Sequence, residues 1–499
     1  MKKSLILLSL VSVLAFASCN KWLDINYSPN SPGADQVSND MIFPAAEMAF
    51  SAKYGDLMRI VGGYFSEHYC HLYGTSNFLD FSQFTMSQTR SNTSYGTIMS
   101  ACIANATVVR DNAIAAQEWG TALAATTLRV FAFQALADAY GEIPYTEAQL
   151  GDKNLAPHFD EGQVVYAGLV AELDEALSKA TESDGVCQNF LFRGENSRSW
   201  VRFANALKLK LLMRERAADG ISVDAALTTL VTENNFPASD VAWKGIWANE
   251  SGKANPYYQE EFATYFGSTQ TNVALNLALL KVMDESSDKR LQKFFNANKA
   301  GNYWGGVSGT NMSLSNTYKS DVFCRPNMAY DSPVYLITVS EVEFFLAEYY
   351  QKVKNDAVSA ADHYQKAIEA SFVSAGLTAA DAASVLAAYP YSAANSDKYI
   401  GIQKWVALAG TNNYEAWCEL RRMGYPEFGT TKGSDISDEK DTYTPAALTT
   451  GELYAPIKVD TDIADQSTSA RWPYPQSASN YTKNCPAVKK ANVKVFWAK

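Results

Sequence analysis

Apolar residues in the interior of this chain return at intervals of three and four, the spacing that lines one face of a helix. Leu128, Phe131, Ala132, Ala135 and Ala139 form one such series. Gly141 ends it at Tyr140, because glycine readily takes the left-handed conformation of a helix stop. Val165, Leu169, Leu173, Ala176 and Leu177 mark a second helix, and Phe203, Leu207 and Leu211 a third. Val342, Phe345, Leu346 and Tyr349 mark a fourth, and a fifth follows at once over 357–371. Helices joined by short polar turns pack as antiparallel pairs, and repeats of the tetratricopeptide kind stack such pairs to bury faces that no single helix can bury. No strict repeat runs through the sequence, so any repeats are degenerate. Between the helices lie stretches without periodicity, at 73–95, 238–266, 296–333 and 425–472. Loops longer than about 15 residues are usually functional or disordered, and these are too aromatic for disorder. The pattern predicts a mostly helical scaffold carrying aromatic loops, an arrangement suited to binding because rigid elements hold variable contacts in place.

The N-terminus carries a different signal. Lys2 and Lys3 precede an apolar run from Leu5 to Ala17, and Phe16-Ala17-Ser18-Cys19 has the form of a lipobox with Phe where Leu is usual. This predicts a lipoprotein leader over 1–18, lipidation of Cys19, and a spacer within 19–40, where Pro, Ser and Asn cluster. An ordinary secretory signal with an incidental cysteine is the plainer alternative. The leader is too short to span a bilayer, which takes about 20 apolar residues. No linker divides the remainder, so 41–499 is expected to be a single domain.

Composition narrows the partners. The formal charge is -11, and loss of Lys2 and Lys3 with the leader makes it more negative. Such a balance disfavours nucleic acid and anionic lipid surfaces. With 28 Tyr and 10 Trp, the chain has more polar-tipped aromatics than a core requires. Cys70, Cys102, Cys187, Cys324, Cys418 and Cys485 are widely spaced and form no CxxC pair, which removes support for metal knuckles and redox motifs. Disulfides are open to an exported chain, although Cys418 lies in a helical pattern and reads equally as a buried thiol.

A saccharide offers weakly apolar faces ringed by hydroxyls, so its site needs aromatic planes together with amide, carboxylate or guanidinium groups at the rim. Tyr73, Asn77, Phe78 and Asp80 supply that mixture in one loop, and Asn302, Tyr303, Trp304 and Tyr318 in another. The competing expectation is that these aromatics pack under their own loops or against a protein partner. His68 and His71 beside Glu67 would place two imidazoles on one helix face, as zinc prefers, but no third ligand accompanies them. Asp460, Asp462 and Asp465 lack the glycine and closing glutamate of a calcium loop and read as solvated acids. The sequence contains no GxSxG, HExxH, P-loop or dinucleotide glycine pattern. A glycosidase needs only two carboxylates about 5 to 9.5 Å apart, so a surface glycoside hydrolase stands as a rival to simple capture. A pure interaction scaffold without soluble ligand is a third alternative.

Several ordered motifs resemble one family. Asp138-Ala139-Tyr140-Gly141-Glu142-Ile143-Pro144-Tyr145 with Glu147-Ala148 is similar to the A-D-x-Y-G-D-I-P-Y-x-E-A signature of the SusD/RagB family of outer-membrane nutrient-binding lipoproteins, with Glu142 in place of Asp. Trp200 to Leu209 resembles its W-x-x-F-A-N-S-L-x-L helix, and Glu341 to Glu348 its E-x-x-F-x-x-A-E helix. Gln403-Lys404-Trp405, Glu415-Ala416-Trp417, Arg421-Arg422, Gly424-Tyr425-Pro426 and Arg471-Trp472-Pro473-Tyr474-Pro475 follow in the family's order. The resemblance implies a SusD-like fold with four tetratricopeptide-like helix pairs on one side and a loop-rich irregular half on the other. It also implies an outer-membrane, cell-surface lipoprotein that captures a nutrient, most commonly a glycan, and passes it to a SusC-like TonB-dependent transporter. No catalysis is implied, and no cofactor beyond a structural calcium is expected. The motif residues themselves have structural readings: Gly141 and Pro144 stop and turn the chain, Glu348 and Arg421 pair or cap, and Trp405 and Trp417 fill core.

Overall fold

The computed structural model describes residues 37–71, 77–263, 272–309, 322–438, 442–463 and 467–499. Cys19, Tyr73, Tyr318 and Asp465 lie outside the described residues. The longer helices are α1 (Asn39–Lys53), α2 (Arg59–Phe65), α3 (Ala104–Ala116), α4 (Trp119–Tyr140), α5 (Gly162–Lys179), α6 (Arg198–Glu215), α7 (Asp224–Glu233), α8 (Leu277–Glu285), α9 (Val339–Lys352), α10 (Ala357–Ser374), α11 (Ser396–Ala409) and α12 (Asn413–Met423). All five helices expected from periodicity are present, and α10 runs to Ser374.

Helix α4 is the axis of the molecule. It is 22 residues long, and every residue from Gly120 to Tyr140 is buried. A helix rich in apolar residues on every face is covered on every face, and α3, α5 and α6 pack against it. It stops at Tyr140 as expected and Gly141 has a φ of +80°, but with ψ of −82° the glycine lies outside the left-handed helical region expected of it. The α9–α10 and α11–α12 pairs also pack on each other, and most buried side chains belong to one continuous hydrophobic cluster.

The motif residues hold this core together through buried ion pairs. Lys210 of α6 lies 2.9 Å from Glu341 of α9 and 3.2 Å from Glu415 of α12. Arg214, one turn on, bridges Asp138 of α4 and Glu415. Lys404 of α11 meets Glu419 at 2.8 Å, and Arg422 makes paired bonds of 2.7 and 2.6 Å to Glu348 while also reaching Glu419 at 2.8 Å. Glu348 therefore pairs with Arg422 and not with its neighbour Arg421, whose guanidinium donates to the carbonyls of Asp138 and Ala470 at 2.9 and 2.8 Å. Burial opposes ionisation of Glu419, but the Arg422, Lys404 and Arg214 cations hold its carboxyl well below the usual range. The asymmetric cost of such a lattice is that removing one member strands the charge of another.

Two distant motifs meet at the end of α4. Arg471 donates to the Tyr140 carbonyl and reaches Glu142 at 3.0 Å. The Trp472 N–H donates to the Ala139 carbonyl at 2.7 Å, and Tyr474 stacks on Tyr140 with centroids 6.1 Å apart. Trp405 and Trp417 fill core as expected, donating their indole N–H groups to the carbonyls of Ser66 and Ser469.

Six short strands occur, β2 (Val241–Trp243), β5 (Glu427–Lys432) and β6 (Glu452–Ala455) inside the stretches read as irregular, and β1 (Tyr69–His71), β3 (Val273–Leu275) and β4 (Val334–Ile337) just outside them. They form three two-stranded sheets, β1 with β3 and β2 with β4 antiparallel, and β5 with β6 parallel. A two-stranded sheet is marginal alone, so each serves to fasten loop segments to the helical body. The six described cysteines are free. Cys418 is buried, and burial raises its thiol pKa.

Candidate ligand-binding surface

Trp304 is presented on a closely packed backbone. Gly306 bridges to Asn276 at the end of β3, with its N–H donating to the Leu275 carbonyl at 2.8 Å. Side chains there would collide: a Cβ on Gly305 would fall 2.5 Å from the Leu277 Cα, and one on Gly306 2.4 Å from the Cys70 sulfur. The two glycines thus let the 302–306 segment lie against β3, and the Trp304 N–H is fixed by the Cys324 sulfur at 3.2 Å. The half-buried Trp304 ring meets Phe323 edge-on at 5.2 Å and lies tilted over Tyr443 at 4.9 Å. The Tyr443 hydroxyl donates to the Gly305 carbonyl at 2.6 Å, which ties that platform to the same backbone.

Beside the platform opens a cleft of about 470 Å³ lined by Phe262, Asn296, Asn298, Lys299, Phe323 and Arg325. Phe323 belongs to both features, so the indole and the cleft form one surface. Arg325 lies over the Phe262 ring at 4.6 Å and donates to the Glu261 carbonyl at 3.0 Å. Burial lowers the Arg325 pKa from its ordinary value, with Glu261 opposing that shift. Asn302 is exposed, and its N–H donates to the Asn298 side chain at 3.0 Å. Tyr303 is half-buried, its hydroxyl 3.5 Å from the Phe295 carbonyl. Asn302, Tyr303 and Trp304 are consecutive in the chain, and the cleft beside them is built by Phe262 from the 238–266 stretch and by Arg325 from the 296–333 stretch, neither of which the sequence marked individually.

The other candidate loop is arranged differently. Phe78, expected to offer its ring to ligand, is buried and stacks on Phe81 at 5.3 Å. Asp80 takes paired bonds of 3.1 and 3.2 Å from Arg90, whose guanidinium also covers the Phe81 ring at 5.1 Å. The Asn77 side-chain oxygen accepts from Arg90 at 3.4 Å. These residues close their loop on itself, because the Phe78 ring gains more by leaving water than by remaining outside.

The histidines do not share a helix face: His68 lies in a bend and His71 ends β1. His68 and His71 are both buried, the first 2.9 Å from the Asn413 amide and the second 3.0 Å from the Asn77 carbonyl oxygen. Burial lowers their pKa values to about 3 and about 4. Glu67 accepts the Tyr454 N–H at 3.1 Å, so the three groups serve three different partners. Asp460 and Asp462, expected as solvated acids, are engaged as well, with Thr85 at 3.3 Å and Lys490 at 3.0 Å. Asp138, Glu415 and Cys418 do converge in the core, but Arg214 already occupies both carboxylates.

The helical body thus carries an aromatic, amide-rimmed outer surface. A family model described as starch-binding associating with outer membrane, SusD-like, matches residues 53–444, and the chain belongs to this family. Among solved structures, a SusD homologue from Bacteroides uniformis superposes with a TM-score of 0.71 at 21% identity, covering 91% of this chain and 98% of that one. A chitin-binding protein gives 0.73 at 20% identity, covering 93% and 100%. A SusD homologue from Bacteroides thetaiotaomicron gives 0.69 at 18%, covering 93% and 99%. At these identities the likeness speaks for the fold. No curated protein matches the chain.

Proposed function

We propose that this protein is a cell-surface glycan-binding lipoprotein, held in the outer membrane through Cys19, that captures an oligosaccharide and delivers it to a SusC-like TonB-dependent transporter docked on its helical side. One observation carries the reading: the Trp304–Phe323–Tyr443 platform is continuous with a cleft rimmed by Asn296 and Asn298. Ring planes for stacking and amides for hydroxyls are the two things a saccharide needs. Membership of an outer-membrane-associated, starch-binding family supports the location and the ligand class, and a chitin-binding structural neighbour agrees with the ligand class. The described residues lining the cleft include no Asp or Glu, whereas glycoside hydrolysis takes two carboxylates across the scissile bond. That favours capture over turnover.

Calorimetry of the purified protein against a panel of polysaccharides tests the reading. A glycan is expected to bind and to be recovered intact, and Trp304→Ala should weaken it about tenfold, the scale of a lost stacking contact. Unchanged affinity in that variant removes the platform from the site, and shortened oligosaccharide after incubation reinstates the hydrolase.

A further inference from the structure

Trp119 stands apart from the other described tryptophans. It opens α4, is half-buried, and alone among them belongs to neither hydrophobic cluster. Among the described residues no ring stacks on it and its indole N–H has no partner. Two clefts share it as a wall, one of about 740 Å³ and one of about 340 Å³. A half-buried aromatic without a ring partner at the meeting of two clefts is a contact surface for an occupant.

The surroundings identify the chemistry. Gln117, with φ of +59°, reverses the chain between α3 and α4. The larger cleft has no Lys, Arg or His among its described lining. Around Trp119, Asn112 donates to Asn39, and Asp40 and Asp184 accept from Gln188 and Thr181 with acceptor capacity to spare, while the Gln117 amide and the Glu118 carboxylate make no side-chain bond among the described residues. The smaller one has Ile114, Ala122 and Ala176 along its apolar side and Glu172 and Lys179 among its polar groups. Amides and carboxylates bond vicinal hydroxyls, and the indole offers a plane for a sugar face. Lacking a cation, the larger cleft repels carboxylated or sulfated chains. We propose that the Trp119 seam is a second saccharide-binding site, selective for neutral oligosaccharides and separate from the Trp304 platform. It rests on the function proposed above only for the class of ligand.

The two sites can be told apart by titrating wild type, Trp304→Ala, Trp119→Ala and the double variant with neutral and uronate-bearing oligosaccharides. Residual binding of a neutral chain by Trp304→Ala is expected, weakened about tenfold or more on adding Trp119→Ala and recovered when Phe replaces Trp119. A preference of that residual binding for uronate-bearing chains overturns the inference. If Trp304→Ala abolishes all binding, or Trp119→Ala titrates as wild type, the second site falls while the function stands. If wild type binds no saccharide at all, both fall. Since Trp119 packs on neither core cluster, the melting temperature of Trp119→Ala should match wild type, so lost binding cannot be ascribed to unfolding.

Discussion

Single residues decide two outcomes here. Arg422 lies between Glu348 and Glu419, all three buried. Removing a partner from such a pair typically costs about 3 to 5 kcal/mol, because the remaining charges stay desolvated. Arg422→Ala should therefore lower the unfolding free energy by that amount, read in a urea titration as a lower midpoint with the slope unchanged. Arg422→Lys should recover only part of it, since an ammonium cannot repeat the paired geometry at Glu348. At this scale the sequence is legible in kind but not in pairing. That Glu348 and an arginine would meet inside the bundle follows from the motifs; which of Arg421 and Arg422 it meets depends on how α9 faces α12. The same limit explains Phe78 and Trp304. Both are aromatic and both lie in aperiodic stretches, and only the packing of Phe81 and Arg90 against the first separates a core ring from a displayed one.

Among elements, α1 is tied down by a carboxylate with unusual acid–base behaviour. Glu47 accepts the N–H groups of Phe190 and Leu191 at 2.6 and 3.0 Å and the Trp243 indole at 3.3 Å. Burial nevertheless raises its pKa to about 7. The folded protein therefore takes up a proton that the unfolded chain, with a carboxyl near 4.5, does not. Stability from this group is present at pH 4.5 and lost as pH rises through 7. In paired urea titrations at pH 8 and pH 5, wild type should gain about 3 kcal/mol relative to Glu47→Gln as the pH falls. The comparison between variants is needed because His68 and His71 act the other way, losing stability as pH falls below 6.5. Elements are legible in the sequence where they are long. The periodicity of α4, α5 and α6 is set by burial on a helical face and survives in the sequence. Strands of three residues, such as β1 and β3, carry no pattern of their own and exist because tertiary neighbours align them. Trp119 carries no signal of its own for a related reason: a tryptophan opening a helix looks like core until its neighbours are placed.

For the whole molecule, one hydrophobic cluster spans the elements from α1 to the segment around Trp497, and the ion pairs join α4, α6, α9, α11 and α12. A body so connected should unfold as one unit, giving coincident transitions by circular dichroism and tryptophan fluorescence. With the six described cysteines free and Cys70, Cys102 and Cys418 buried, dithiothreitol should leave the melting temperature unchanged. A shift of several degrees would mean that a cross-link contributes.

The charges between α6, α9 and α12 also act as a check on assembly. A helix that slid by one turn, about 5.4 Å, would carry Lys210 or Arg422 away from its carboxylates and set it against hydrocarbon. An oily interface tolerates such slippage at small cost, whereas this interior penalises each misaligned arrangement heavily, so the lattice selects one alignment of the helices from many that would bury as much carbon.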